Sequence, residues 1–248
     1  MSSEINPWYK EWFASPYYPL LYPHRDSEEA QLFISHILRF LPIPPAAQVL
    51  DIACGEGRHA HVLHDLGFQV TGIDASKPFI HKASTPPKLG LTFQVGDIRN
   101  PFPPGPYHLI LNLFTSFGYF QDIQDQFKVL HNVTEVLDPR GYFILDFFNA
   151  NWVEKILIPE KELEINNIHF HIRKKIINKR IIKRITISEG SQTSEYCEDV
   201  ALFTRIDLEN MGKEVGLIPF ATWGSYTAEP FDEVHSERCI LFFQYPQP

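Results

Sequence analysis

Val49-Leu50-Asp51-Ile52-Ala53-Cys54-Gly55-Glu56-Gly57-Arg58-His59 reads as a buried strand end, a tight glycine turn and a helix start, with an acid inside the turn. Glycines at 55 and 57 leave no Cβ between the backbone and a ligand. The N–H groups at the helix start that follows favour a negatively charged ligand group. The stretch therefore marks a binding turn between a strand and a helix.

Outward from this turn the chain alternates short apolar runs with helical stretches. Ser27–Leu41 reads as a helix, capped by Ser27, with Glu28 and Glu29 in its first turn and Pro42 as its stop. Strands are expected at Gln48–Ile52, Gln69–Ile73, Leu91–Val95, His108–Leu113 and Gly141–Phe148, with helices at Gly57–Leu66, Lys77–Ala83 and Asp122–Leu137 between them. That rhythm predicts an α/β fold with a mostly parallel sheet and helices on both faces, binding its ligand beyond the carboxyl ends of the strands. After Asn151 the pattern turns β-rich, with strands expected at Ile168–Ile177, Arg180–Ser188 and Glu195–Arg205. A helix at Ile206–Val215 and strands at Leu217–Trp223 and Arg238–Tyr245 follow. The division expected is an aromatic N-terminal lid and helix (1–47), a binding core (48–150), a β-rich insert (151–205) and a C-terminal part completing the core sheet (206–248). The insert is expected to act as a cap or as a homodimer contact.

A formal net charge of -8 argues against binding nucleic acid or an anionic membrane through the general surface. The three cysteines, Cys54, Cys197 and Cys239, have no metal spacing and suggest reduced thiols in a cytoplasmic protein. Met1–Lys10 shows no signal-peptide pattern, and no apolar run approaches the ~20 residues of a membrane span.

The turn resembles the first motif of the class I S-adenosylmethionine-dependent methyltransferases, Asp-x-Gly-x-Gly-x-Gly or Asp-x-x-Cys-Gly-x-Gly. The match lies at Asp51, Cys54, Gly55 and Gly57; Ala53 stands where the family has its first glycine. Gly55-Glu56-Gly57-Arg58-His59-Ala60 also fits the dinucleotide fingerprint, whose acid lies further along the chain. Asp51, four residues before Gly55, belongs to the methyltransferase pattern, and so does the series of acids Asp51, Asp74 and Asp97 at successive strand ends.

The resemblance covers Gln48 to about Phe148, and the C-terminal elements by order only. It implies a Rossmann-like sheet of seven strands and S-adenosylmethionine as cofactor, with S-adenosylhomocysteine as product. It also implies a cofactor site of Asp51, Ala53, Cys54, Gly55 and Gly57 at the turn. Asp74, followed by Ala75, would accept from both ribose hydroxyls, as an ionised acceptor does well. Asp97 would accept from the adenine amino group, with Ile98 packed on the ring. Leu113 and Phe114 would wall the methionine part. Arg58 is a candidate for the methionine carboxylate, as are Tyr17, Tyr18 and His24 in the aromatic N-terminal segment. For each, a plain structural role stays open: a helix cap for Asp74, a turn for Asp97, a surface position for Arg58, core packing for the aromatics.

Methyl transfer is an in-line displacement in which the cofactor supplies the reactivity and the protein supplies alignment and a dry pocket. Asp146 and Tyr119 are the candidate catalytic residues, with Asn149 as an anchor beside Asp146; structural pairing is the alternative for Asp146. His169, His171 and His235 are further candidates for facing the cavity. Seven basic residues from Arg173 to Arg184 read either as a greeting for an acidic substrate or an RNA, or as a solvated or edge strand guarded by charge. The function expected is transfer of a methyl group to O, N or C of a small-molecule acceptor, without metal. The rivals are a tRNA or protein methyltransferase, a non-catalytic S-adenosylmethionine-binding protein and an NAD-dependent oxidoreductase.

Overall fold

The computed structural model describes residues 8–23 and 27–247. Helices α1 (Trp8–Phe13), α2 (Tyr18–Leu21) and α3 (Ser27–Phe40) lead into the core. There β1 (Gln48–Ile52), α4 (Arg58–Asp65), β2 (Gln69–Asp74), α5 (Lys77–Ala83), β3 (Leu91–Val95) and β4 (Tyr107–Asn112) follow in turn. A 3-10 turn at Ser116–Tyr119 precedes α6 (Ile123–Val136), β5 (Leu137–Phe148) and α7 (Ala150–Lys155). Four strands come next: β6 (Glu160–Ile165), β7 (Ile168–Ile177), β8 (Arg180–Glu189) and β9 (Gln192–Ala201). The chain closes with α8 (Arg205–Glu214), β10 (Ile218–Trp223) and β11 (Arg238–Gln244).

Seven strands form one sheet in the order β10-β11-β5-β4-β1-β2-β3. The pairs among β1 to β5 are parallel, and β11 joins β5 and β10 antiparallel. The central strands are apolar on both faces, as a sheet covered twice requires. Val49, Leu109, Leu111, Ile144 and Phe242 pack against α3 and α4, while Leu50, Ile52, Ile110, Phe143 and Phe243 pack against α6 and α8. In α3 the spacing Ala30, Phe33, Ile34, Ile37 supplies the buried stripe. The chain runs from β1 to β2 and β3 on one side, then returns to β4 on the other. Strand order therefore reverses between β1 and β4, and the carboxyl ends there open the crevice in which such sheets bind ligands.

The strand expected at Glu195–Arg205 spans Gln192–Ala201, and α7 has no counterpart in the sequence expectation. Two further differences have a physical reason. β5 begins at Leu137 rather than Gly141, because Leu137 pairs with Tyr107 and a register shift follows before Leu109. The β-rich region holds four strands, in the order β6-β7-β8-β9. β6 escapes a hydrophobicity reading because Glu160, Glu162 and Glu164 fill one face and only Leu163 and Ile165 mark the other. The basic strands β7 and β8 are the two central strands, so the guarded-edge reading does not hold. Phe170, Ile172, Ile185 and Ile187 face inward to Trp12 and the N-terminal arm, and Arg173 and Arg184 face outward.

Gly57, at the foot of α4, has φ +77°, and a Cβ there would lie 2.5 Å from Cζ of Phe93. Gly57→Ala is expected to lower the unfolding free energy by about 1–3 kcal/mol through overpacking and backbone strain. Urea titration checks this; a loss below about 0.5 kcal/mol would mean that the Phe93 ring steps aside freely.

Candidate active site

A cavity of about 300 Å³ opens at the carboxyl ends of β1 to β4. Its floor is the glycine turn. Ala53, Gly55 and Gly57 all have positive φ, at +55°, +58° and +77°. Such a backbone lets Gly55 N–H donate to Oδ2 of Asp74 at 2.9 Å, while Ser76 N–H donates to Oδ1 at 2.8 Å. Asp74 thus ties the turn to the end of β2 and faces the cavity with Ala75; burial raises its pKa. Cys54 also lines the cavity, packed toward Gly72, and burial with Asp51 and Asp74 nearby pushes its thiol well up. It is a packed thiol rather than a thiolate.

Asp51 is 1% exposed, and its Oδ2 has no hydrogen-bond partner among the described residues. Burial, then the charge of Asp74, raises its pKa to about 7, partly offset by Arg58 and the Ala60 N–H. An orphaned acceptor in so dry a place is costly unless a ligand completes it. Asp97 is handled differently. Arg99 donates to it from Nε and the backbone N–H at 3.0 Å each, and from Nη2 at 2.6 Å. These bonds outweigh burial and hold the Asp97 carboxyl below the usual carboxylate range. Arg99 also reaches Asp125 on α6 at 3.0 Å and lies 4.7 Å from the Phe120 ring centroid. The sequence reading missed Arg99, although its position two residues after Asp97 was the available signal.

Leu113 and Phe114 wall the cavity at the end of β4, and Ile98 also lines it. Phe114 and Thr115 both have positive φ, at +64° and +68°. Asp146 holds this strained pair: its Oδ2 accepts from Phe114 N–H at 2.8 Å, and its carbonyl accepts from Thr115 N–H at 3.0 Å. Tyr226 donates to the same Oδ2 at 3.0 Å, and Arg238 donates to Oδ1 from Nε at 2.9 Å and Nη2 at 2.5 Å.

This corrects the role expected for Asp146. It does not line the cavity, and four donors fill its two oxygens, so it positions Phe114 instead of offering a base. Asn149 is likewise occupied, donating to the carbonyls of Asp232, Glu233 and Ser236. Arg58 lines the cavity, but Nη1 pairs with Glu29 at 2.5 Å and its guanidinium lies 4.5 Å from the Phe114 centroid. His59, not singled out as a site residue from sequence, lies beside Phe114 with ring centroids 5.6 Å apart; burial and Arg58 keep it neutral.

The roof is aromatic. Tyr9, Phe13, Tyr18 and Tyr22 come from the N-terminal arm, and Tyr119 from the 3-10 turn stacks on Tyr9 at 5.7 Å. Tyr17 points away and donates to Glu189 at 2.9 Å. None of His169, His171 and His235 reaches the cavity; they lie beside Glu162, Glu160 and Asp232. His24 lies outside the described residues. Among the described residues no cluster of His, Cys, Asp or Glu has the form of a metal site.

Residues 43–195, more than half of the chain, match the family described as "Methyltransferase domain". The chain belongs to that family. A solved S-adenosylmethionine-dependent methyltransferase from Clostridium acetobutylicum ATCC 824 superposes on this methyltransferase domain with TM-score 0.81 at 18% identity, covering 95% of this chain and 98% of that one. The fold is thus the one expected from the resemblance. A 2-methyl-6-phytyl-1,4-hydroquinone methyltransferase of Synechocystis sp. is 38% identical over 117 residues, 46% of this chain and 34% of that protein. The YqeM protein of Bacillus subtilis is 29% identical over 113 residues, 44% of this chain and 45% of that one. The chain therefore spans less than half the length of these curated relatives.

Removing the Asp146 carboxylate would strand the Arg238 side chain, itself 18% exposed, and the Phe114 N–H. Asp146→Ala is expected to cost about 3–5 kcal/mol of stability, as loss of one partner of a buried ion pair does. Denaturant unfolding measures it; a cost under about 1 kcal/mol would mean that other contacts hold this corner.

Proposed function

We propose that the protein is an S-adenosylmethionine-dependent methyltransferase acting on a small-molecule acceptor. The observation that carries this reading is the convergence of Asp51, Asp74 and Asp97, each from a different strand end, on one cavity floored by a glycine turn. The residues fit the cofactor. The orphaned Oδ2 of Asp51 suits an ammonium group, Asp74 a pair of hydroxyls, and Asp97 with Ile98 a planar base. A Cβ on Gly96 would meet nothing within 4 Å, so the backbone there is open to a ligand. Ala53, Cys54, Gly55 and Ala75 complete the floor, and Leu113, Phe114 and Tyr18 the walls. Gly57, expected from sequence to touch the cofactor, lies outside the lining and backs onto Phe93.

The cofactor supplies an electrophilic methyl carbon. The chain's own task is alignment and exclusion of water, and its aromatic roof suits both. Tyr119 is the proposed contact with the acceptor, since it is the one catalytic candidate from sequence that reaches the cavity. A cavity roofed by the aromatic arm favours a small acceptor over a polymer, in keeping with the hydroquinone in the Synechocystis relative's name. The three free cysteines fit a reducing compartment, and we place the protein in the cytoplasm. No helix of the described residues is long and apolar enough to cross a membrane.

Calorimetric titration with S-adenosylmethionine, S-adenosylhomocysteine and NAD tests the reading. Micromolar binding of the two adenosyl sulfur ligands is expected, roughly -8 kcal/mol, with a loss of at least about tenfold in Asp74→Ala. Binding of NAD alone would overturn it, and binding without transfer to any acceptor would make the protein a sensor.

Asp51 adds a pH signature. Its folded pKa of about 7 lies above the ordinary ~3.9 of an unfolded aspartate, so ionisation opposes folding of the ligand-free protein. The penalty grows from about pH 4 and is complete above about pH 7. Asp51→Asn is therefore expected to raise the melting temperature of the ligand-free protein more at pH 8 than at pH 5. An equal effect at both pH values would show that Asp51 is ionised throughout.

A further inference from the structure

The arm from Trp8 to Tyr22 covers the cavity, and its fastening lies on the four-stranded sheet. Trp12 on α1 is fully buried and donates its indole N–H to Oε1 of Glu198 at 2.7 Å. Tyr22 donates its hydroxyl to the same oxygen at 2.7 Å. Lys183 donates to the Tyr22 hydroxyl at 2.5 Å and to Oε1 of Glu198 at 3.3 Å. Lys183 and Glu198 are direct cross-strand partners on β8 and β9, with side chains 12% and 18% exposed. An ion pair so nearly dry is tolerated when hydrogen bonds satisfy its lone pairs, and three donors meet on one carboxylate oxygen here. They keep the Glu198 carboxyl below its ordinary range against the pull of burial. Tyr22 joins this cluster to the cavity, because its ring is part of the lining.

A second charged pair on the same strands, set diagonally, fastens the other piece of the roof. Arg180 binds Asp199 at 2.6 Å and donates to the Phe120 carbonyl at 3.0 Å, fixing the end of the 3-10 turn. No residue of β6 to β9 is itself in the lining.

We infer that Lys183, Glu198 and the Tyr22 hydroxyl form a clasp by which the four-stranded sheet seats the arm over the cavity, and that its release is the opening through which ligands pass. The inference rests on the cavity being the S-adenosylmethionine site. At about 300 Å³ the cavity is at the small end of ligand pockets, ~300–1,000 Å³, and the arm supplies Tyr9, Phe13, Tyr18 and Tyr22 to its lining, so displacing the arm widens it. The arm belongs to neither sheet, and this cluster fastens it to the four-stranded one. These three are positioning residues, acting through the wall they hold in place.

Two variants test it. Tyr22→Phe removes the hydroxyl and keeps the ring. Lys183→Met combined with Glu198→Gln removes both charges together, so neither is left buried alone. Hydrogen exchange of residues 8–22 is read in the ligand-free protein, and dissociation of S-adenosylhomocysteine is followed by stopped-flow displacement. In both variants, arm exchange and ligand release are expected to quicken by about tenfold, the effect of losing one charge-assisted hydrogen bond, while exchange in β1 and β4 stays at the wild-type rate. Unchanged arm exchange in the folded variants overturns the clasp. Faster arm exchange with unchanged release overturns the gate. Wild-type protein that binds no S-adenosylhomocysteine defeats the cofactor reading and the gate with it, and exchange then still decides whether the clasp holds the arm.

Discussion

The carboxylate of Asp146 is the contact on which the site depends. It has no exposure to solvent, stands at the end of β5, and gathers donors from the end of β4, from Tyr226 and from Arg238 on β11. Two consecutive residues with left-handed backbone, neither of them glycine, follow β4. Such strain persists where surrounding contacts over-determine it, and Asp146 supplies contacts from both its side chain and its carbonyl. Phe114 is presented to the cavity as a result, and Arg58, His59 and Tyr226 stack around it. The wall beside the proposed transfer position is therefore built from a core ion pair outward.

Around this corner the three strand-end acids illustrate how one residue type is set to different states by its neighbours. Asp97 is neutralised locally by Arg99, Asp74 is held by backbone N–H groups, and Asp51 is left with an unanswered oxygen. Only the last is out of balance before a ligand arrives. Burial costs of this kind are the usual mark of a binding position, since a structural carboxylate acquires partners of its own.

Much of this was legible along the chain. β1, β3, α5 and β7 coincide with the expected boundaries, because in each the side-chain period and a nearby cap or turn residue point the same way. The glycine turn is local in sequence, and the resemblance it carries leads to the acids at the later strand ends that line the cavity. What escaped depends on distant partners. The charge of Arg238 answers Asp146 from 92 residues away, and Trp12 meets Glu198 across 186 residues. No periodicity encodes such pairings. The isolated acid at Asp146 suggested chemistry because its counter-ion was invisible, and the basic run of β7 and β8 suggested an edge because the neighbouring strand β6 carries so few apolar residues.

The absence of any β6–β9 residue from the cavity lining has an architectural consequence. The cavity's floor and the sheet that fastens its roof are folded from separate stretches of chain and meet through a few side chains. Substitutions on the outer face of the four-stranded sheet are screened from the reaction by the whole thickness of that sheet. Arg180, Lys183 and Glu198 reach the cavity only through the roof they fasten, the arm and the 3-10 turn. A scaffold divided in this way can vary its roof while the strand ends that carry the three acids stay as they are.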